Sequence, residues 1–195
     1  MAESCMGRSE GRLTPTRKRE ILEAARAEFA RAGYAGATVR SIGRSAGVHL
    51  PSIYHHFGDK ENLFREVLFE AHGRLMQSVI ERRIIDRGLP AEIESIFAAI
   101  NEFHRREPES LYLSFALTYI APPAVQADFA ARSGRELFAL LRDAFRRTGR
   151  GVDRVRLSLM NDVLRSFLLG LTAPAMRTGK PVRKQQAIRF ILRGL

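Results

Sequence analysis

Cysteine is almost missing from this 195-residue chain. Its one thiol, Cys5, sits in a polar N-terminal stretch with no second cysteine to close an internal disulfide, which suits a reducing compartment. A solvated tail residue without a role is the ordinary reading of Cys5, and a reactive sensor thiol the alternative. Long apolar runs are missing too. No stretch approaches the roughly 18 residues of a membrane span, and the first residues lack the apolar run of a signal peptide. A soluble, cytoplasmic protein that makes no use of a membrane is therefore expected. Strand signals, internal repeats and low-complexity tracts do not appear. Catalytic patterns are equally scarce: no Glu-x-x-His spacing, no His-x-x-x-His pair, no phosphate-cradling glycine loop, no nucleophile elbow. No enzyme, cofactor or metal site is expected.

What the chain does carry is positive charge, a net of +11. Residues 1–60 hold ten basic against six acidic residues, and the remainder twenty-two against fifteen. The excess favours association with polyanions, but it is spread over the whole chain. Only four of the thirty-two basic residues are lysine, so much of it reads as a compositional habit. Pattern has to decide what charge does not.

The pattern is helical throughout. Residues 1–13 lack periodicity and read as a disordered tail. Thr14-Pro15 or Thr16 then opens a first helix with Ile21, Leu22, Ala25, Phe29 and Ala32 at three- and four-residue spacing, stopped by Gly33. Thr38 caps a second helix, which Gly47 ends. Asp59 caps a fourth, whose stripe Leu63, Phe64, Val67, Leu68, Leu75, Val79 and Ile80 runs towards Ile84. Gly88-Leu89-Pro90 breaks the chain. A fifth helix follows with Ile93, Ile96, Phe97, Ile100 and Phe103, and Pro108 starts a sixth with Leu111, Tyr112, Phe115 and Tyr119. After Pro122-Pro123 a long seventh runs to about Arg147. Asp153 caps an eighth, and the last covers about Pro181 to Leu195.

The most informative stretch is Thr38 to Lys60. Gly47 supplies a tight reversal between two short helices. Ile42, Ala46, Val48, Ile53 and Phe57 are spaced to share a small core, leaving Arg40, Arg44, Ser52, Tyr54 and His55 outward. That is the layout of a helix-turn-helix, which lays one helix in a DNA major groove while another braces it. The stretch resembles the DNA-binding domain of the tetracycline-repressor family of bacterial transcription regulators, from about Thr16 to Leu68. The resemblance runs through Phe29-Ala30-Arg31-Ala32-Gly33-Tyr34, Ala37-Thr38-Val39, Ala46-Gly47-Val48, Ile53-Tyr54-His55-His56-Phe57 and Lys60-Glu61-Asn62-Leu63-Phe64. Beyond it, only length and helical content are similar.

The expected fold is all-α, with about nine helices. A disordered tail (1–13) precedes a helix-turn-helix head (14–60), and a fourth helix from residue 60 connects to a ligand-binding and dimerisation body (61–195). Thr38, at a helix N-terminus, offers its hydroxyl and free amides to a phosphate. Arg40 and Arg44 reach the DNA backbone or simply face water. The resemblance implies that Lys60 meets phosphate, that Tyr54 meets the backbone or packs on a base, and that His55 meets phosphate or a base edge; His56 reads as structural. Base reading falls to Val48, His49, Leu50, Pro51 and Ser52. Here the chain departs from the family pattern: His49 stands where a serine cap is usual, and Leu50-Pro51 offers no side-chain hydrogen bonds. An operator read through thymine methyls and DNA shape is expected. Gly43 also replaces the usual alanine where the two helices touch.

In the body, Phe97, Phe103, His104, Tyr112, Phe115, Tyr119, Phe129, Phe138, Asn161 and Phe167 either line an apolar cavity or pack an ordinary core. The Arg-rich stretches Arg142 to Arg156 and Arg177 to Arg193 attract an anionic ligand or are solvated surface. The eighth helix is apolar on more than one side. It is either buried within its subunit or, as the resemblance implies, pairs with the ninth in a homodimer through Leu157, Met160, Leu164, Leu168, Ile188, Ile191 and Leu192. The function implied is a ligand-responsive regulator, a repressor that binds a palindromic operator on double-stranded DNA as a dimer and is released by a small molecule. A sequence-tolerant architectural DNA-binding protein is the rival reading.

Overall fold

A computed structural model of the chain describes residues 14–132 and 135–147, and every regular element among them is an α-helix. In order these are α1 (Pro15–Gly36), α2 (Val39–Ala46), α3 (Leu50–Phe57), α4 (Lys60–Arg82), α5 (Leu89–Arg106), α6 (Pro108–Tyr119), α7 (Pro123–Arg132) and α8 (Glu136–Arg147). The chain divides into two compact units, and the boundary falls inside α4, between Val67 and Leu68. The seventh helix expected to run unbroken to Arg147 is two, α7 and α8. Ser133 and Gly134, between them in sequence, lie outside the described residues, and glycine in particular is a poor helix former. The tail with Cys5 and the eighth and ninth helices also lie outside.

The helix starts follow the capping residues. Thr14 Oγ1 accepts the Arg17 amide at 3.2 Å and Pro15 takes the first turn of α1. The helix geometry breaks at Gly33 (φ 72°, ψ 170°). Asp59 Oδ1 accepts the Asn62 amide at 2.7 Å and so begins α4. In the first unit Ile21, Leu22, Ala25 and Phe29 of α1 are buried with Ile42, Ile53, Phe57, Leu63 and Phe64. Phe29 and Phe64 meet edge to face with ring centres 4.7 Å apart, a geometry worth a little beyond the buried area.

The second unit has its own core, made by Val79 of α4, Ile93, Ile96, Phe97 and Ile100 of α5, and Leu141 and Phe145 of α8. Ile80, placed in the same stripe from sequence, is 53% exposed. It turns about 100° away from its buried neighbour Val79. Beside the core lies a carboxylate, Glu92, that is only 2% exposed and takes the guanidinium of Arg147 as well as that of Arg83 at 3.5 Å. Ser95 fixes the chain leaving α4: its hydroxyl donates to Glu92 O and accepts the Ile84 amide at 2.9 Å. Among the described residues, no helix is long and apolar enough to cross a membrane.

Candidate nucleic-acid interface

The interface begins at the start of α2. Thr38 Oγ1 accepts the Ser41 amide at 3.0 Å, and the Ser41 hydroxyl reaches back to the Thr38 amide, a reciprocal cap. The amides of Val39 and Arg40, first in the helix, have no intrahelical acceptor, while Thr38 gives both its amide and its hydroxyl to Ser41 Oγ at 3.3 and 3.0 Å. Behind this helix start, Glu28 of α1 is nearly buried and held by Arg31 at 2.9 Å. The Ser41 hydroxyl first, then Arg31, keep the Glu28 carboxyl below the usual carboxylate range against the opposing effect of burial.

The turn is set by two glycines. Gly47 adopts the left-handed conformation (φ 61°, ψ 37°), and its amide turns back to α2. A side chain at Gly43 would fall 2.9 Å from Val48 O and 3.3 Å from Ile53 Cδ1. The Val48 amide donates to Gly43 O at 2.9 Å. The departure from the usual alanine therefore lets α2 lie directly on the turn and on α3.

Helix α3 buries Ile53 and Phe57, four residues apart, and exposes Pro51, Tyr54 and His55, which share another face by their three- and four-residue spacing. Tyr54 is half exposed, an expensive position for an aromatic ring without a partner. His49 is exposed, precedes α3 and gives no side-chain capping bond; Leu50, Ser52 and Val48 are half-buried. Arg40 and Arg44 of α2 are exposed. His56 is half-buried, its ring 5.2 Å from that of His55.

Lys60 is placed differently from its neighbours. Its ammonium donates to Ala37 O at 2.9 Å and Ala35 O at 3.4 Å, and sits 4.7 Å from the Tyr34 ring centre. Those carbonyls explain a cation at a helix start, which the dipole disfavours. A lysine has three N–H donors, so one is left for a phosphate. Burial, then the carboxylates of Glu61 and Asp59, push the Tyr34 phenol above its ordinary range.

Two contacts were not legible in the sequence. Arg17 donates from Nη2 to Gly47 O, and Lys18 pairs with Glu66 at 2.6 Å with its ammonium 5.8 Å from the Phe57 ring centre. The only hint is the run Arg17-Lys18-Arg19 in a first helical turn without acidic residues, where cations are unfavourable unless something else holds them.

Comparison with known proteins agrees with this geometry. Residues 21–67 match the family described as bacterial regulatory proteins, tetR family. The HTH-type transcriptional repressor Rv1474c of Mycobacterium tuberculosis is 35% identical over 152 residues, which cover 78% of this chain and 76% of that protein. The chain belongs to the TetR family. The repressor AcnR of Corynebacterium efficiens is 39% identical over 99 residues, 47% of this chain and 53% of that one. The match spans about half or less of the corynebacterial relatives. A TetR-family transcription regulator from Shewanella sp. PV-4 shares the fold with a TM-score of 0.69 at 24% identity, over 88% of this chain and 90% of that one.

Membership of the TetR family sets the enzyme reading aside. Gly43-Arg44-Ser45-Ala46-Gly47 does have the letters of a G-x-S-x-G nucleophile elbow, but Ser45 is an exposed residue inside α2 with no strand before it, so the required strand-to-helix turn is missing.

The residues expected to line a TetR body cavity are scattered among those described. Phe97 is in the core and Phe138 packs against it. Phe103 is buried, with the half-buried His104 ring 6.0 Å from it. Tyr112 is half-buried, and Phe129 lies 4.8 Å from the His72 ring and 5.5 Å from Phe69. A cleft between α4 and α5, with Arg74, Arg82, Arg106, Glu81, Glu102 and Glu107 on its walls, includes Phe103 alone of these candidates. The side chains of Phe115 and Tyr119 lie outside the description, as do Asn161, Phe167 and the dimer-interface residues Leu157, Met160, Leu164, Leu168, Ile188, Ile191 and Leu192.

Proposed function

We propose that the chain is a dimeric transcriptional repressor that binds a palindromic operator and releases it when a small molecule occupies its body. One observation carries the DNA half: α3 hides Ile53 and Phe57 while Pro51, Tyr54 and His55 stay on an open face, beside exposed Arg40 and Arg44. Relatives named as repressors support the same direction. Thr38 with the first amides of α2, Lys60, Arg40 and Arg44 hold phosphate; Tyr54 and His55 hold backbone or base edge; Val48, His49, Leu50, Pro51 and Ser52 meet the bases. The apolar pair Leu50-Pro51 favours thymine methyls at the half-site core. Two copies, paired through the stretches carrying Leu157 to Leu168 and Ile188 to Leu192, place their α3 helices roughly 34–36 Å apart in successive major grooves. The head (14–60) reads DNA, and α4 links it to a body (61–195) that takes the ligand. Release then requires a ligand that binds the non-binding state more tightly.

The test is selection of duplexes from a random library, with Tyr54→Ala as control. An enriched inverted repeat with T at the half-site core, lost in the variant, is expected. Steep salt dependence without sequence preference would replace this reading with the architectural one. A compound that binds the body and leaves operator affinity unchanged would remove the inducer.

A further inference from the structure

Two adjacent cations on the first turn of α1 reach the turn that leads into α3 and the last residue of α3. Arg17 pairs with Glu20 at 2.7 Å and gives its other guanidinium nitrogen to Gly47 O, the carbonyl just ahead of Val48-His49. That carbonyl closes the turn on its outer side, while the amides of Gly47 and Val48 turn inward to α2. Lys18 takes the other end: its ammonium lies over Phe57, the last residue of α3, and pairs with Glu66 of α4. Arg17 itself is placed by the Thr14 cap, which accepts its amide.

We infer that Arg17 and Lys18 are positioning residues, a clamp that fixes the pitch of α3 without touching DNA. This rests on reading α3 as the DNA-recognition helix. The logic is geometric. A helix of eight residues fully buries only two side chains, with Leu50, Ser52 and His56 half-buried, so contacts at the turn before it and at its last residue add to what packing fixes. These contacts are an ion-assisted hydrogen bond at the turn and a cation over a ring at the last residue. Basic residues near a DNA-binding head are ordinarily read as phosphate contacts. Here both are already engaged within the protein.

The test compares Arg17→Ala, Arg17→Gln and Lys18→Ala with Arg19→Ala, a neighbouring exposed cation with no place in the clamp. Amide exchange without DNA comes first. Arg17→Ala should speed exchange at Val48 about tenfold, the scale of one hydrogen bond from a charged group, with Arg17→Gln restoring part of it and Arg19→Ala none. Affinity is then measured against the selected duplex and a scrambled one over a range of salt. Arg17→Ala and Lys18→Ala should weaken the selected duplex, leave the scrambled one alone and keep the salt slope. Loss of folded protein would lower both affinities together, so the ratio separates positioning from unfolding. A slope shallower by about 0.9 would make Arg17 a phosphate contact and overturn the clamp. Unchanged exchange at Val48, or an equal effect from Arg19→Ala, would overturn it as well. A wild type with no duplex preference would instead overturn the DNA reading, with exchange still deciding whether the clamp exists.

Discussion

Gly43 stands at the tightest point of the head, where α2 meets the turn it leads into. Two effects oppose each other when it becomes alanine. Helix propensity improves by roughly 1 kcal/mol, but the new methyl lands 2.9 Å from Val48 O, and a backbone carbonyl cannot swing aside as a side chain would. Overpacking of that kind costs about 1–3 kcal/mol. Gly43→Ala should therefore lower stability despite the better helix former, seen as a lower midpoint in urea. Lys60 makes a second point at this scale. Its hydrogen bonds to Ala37 O and Ala35 O predict that Lys60→Ala loses about 1–2 kcal/mol in the same titration, before any DNA is added.

Among elements, the joint between α1 and α2 carries a pH signature. Glu28 has its carboxyl held below the ordinary value of 4.5, by the Ser41 hydroxyl first and Arg31 second. A depressed folded-state value means stabilisation that is complete above the unfolded value and lost as pH falls through the folded one. The head should melt at progressively lower temperature below about pH 4.5, and Glu28→Gln should flatten that dependence in thermal scans from pH 7 to pH 3. Glu102 is pushed further, to about 2 by Arg105 and then Arg106, but in solvent, where the pairing is screened and contributes little.

The elements themselves were legible because caps and periodicity are local. Thr38, Gly47 and Asp59 mark their boundaries by chemistry that needs no tertiary partner, and the stripe in α5 gives five of its buried residues in order. What stayed hidden depends on partners distant in sequence. Arg17 and Gly47 are thirty residues apart; nothing in their types announces that they meet. Ile80 failed for a simpler reason, since an apolar letter beside Val79 does not say which of the two faces inward. The residues proposed to meet DNA on α3 could be placed on its open face because exposure of Tyr54 follows from the burial of Ile53 and Phe57. The body gave no such leverage: an aromatic on a helix reads alike in a core or a cavity.

At the scale of the whole molecule, the second unit turns on a buried charge. Glu92 joins the start of α5 to Arg83 beyond α4 and to Arg147 at the end of α8. Removing the carboxylate strands Arg83, so Glu92→Ala should destabilise this unit by about 3–5 kcal/mol. Arg147→Ala should cost less, because Arg83 still faces Glu92 and Arg147 is 39% exposed. Hydrogen exchange would read both, with the amides around Ile96 losing protection while those around Ile42 keep theirs.

The missing cap at His49 has a consequence of its own. Every other helix start in the head is closed by an oxygen from its own chain: Thr14, Thr38 and Asp59. Only α3 begins open, although serine at this position would add about 1 kcal/mol to the free protein. Stability has been left unclaimed at this helix start, whose cap residue His49 is exposed. A protein tuned purely for robustness would have closed it. Pro51 has no amide hydrogen and the Ser52 amide already meets His49 O at 3.1 Å, so what the uncapped start leaves uncommitted is the exposed His49 side chain itself, whose ordering can wait for encounter with an outside group.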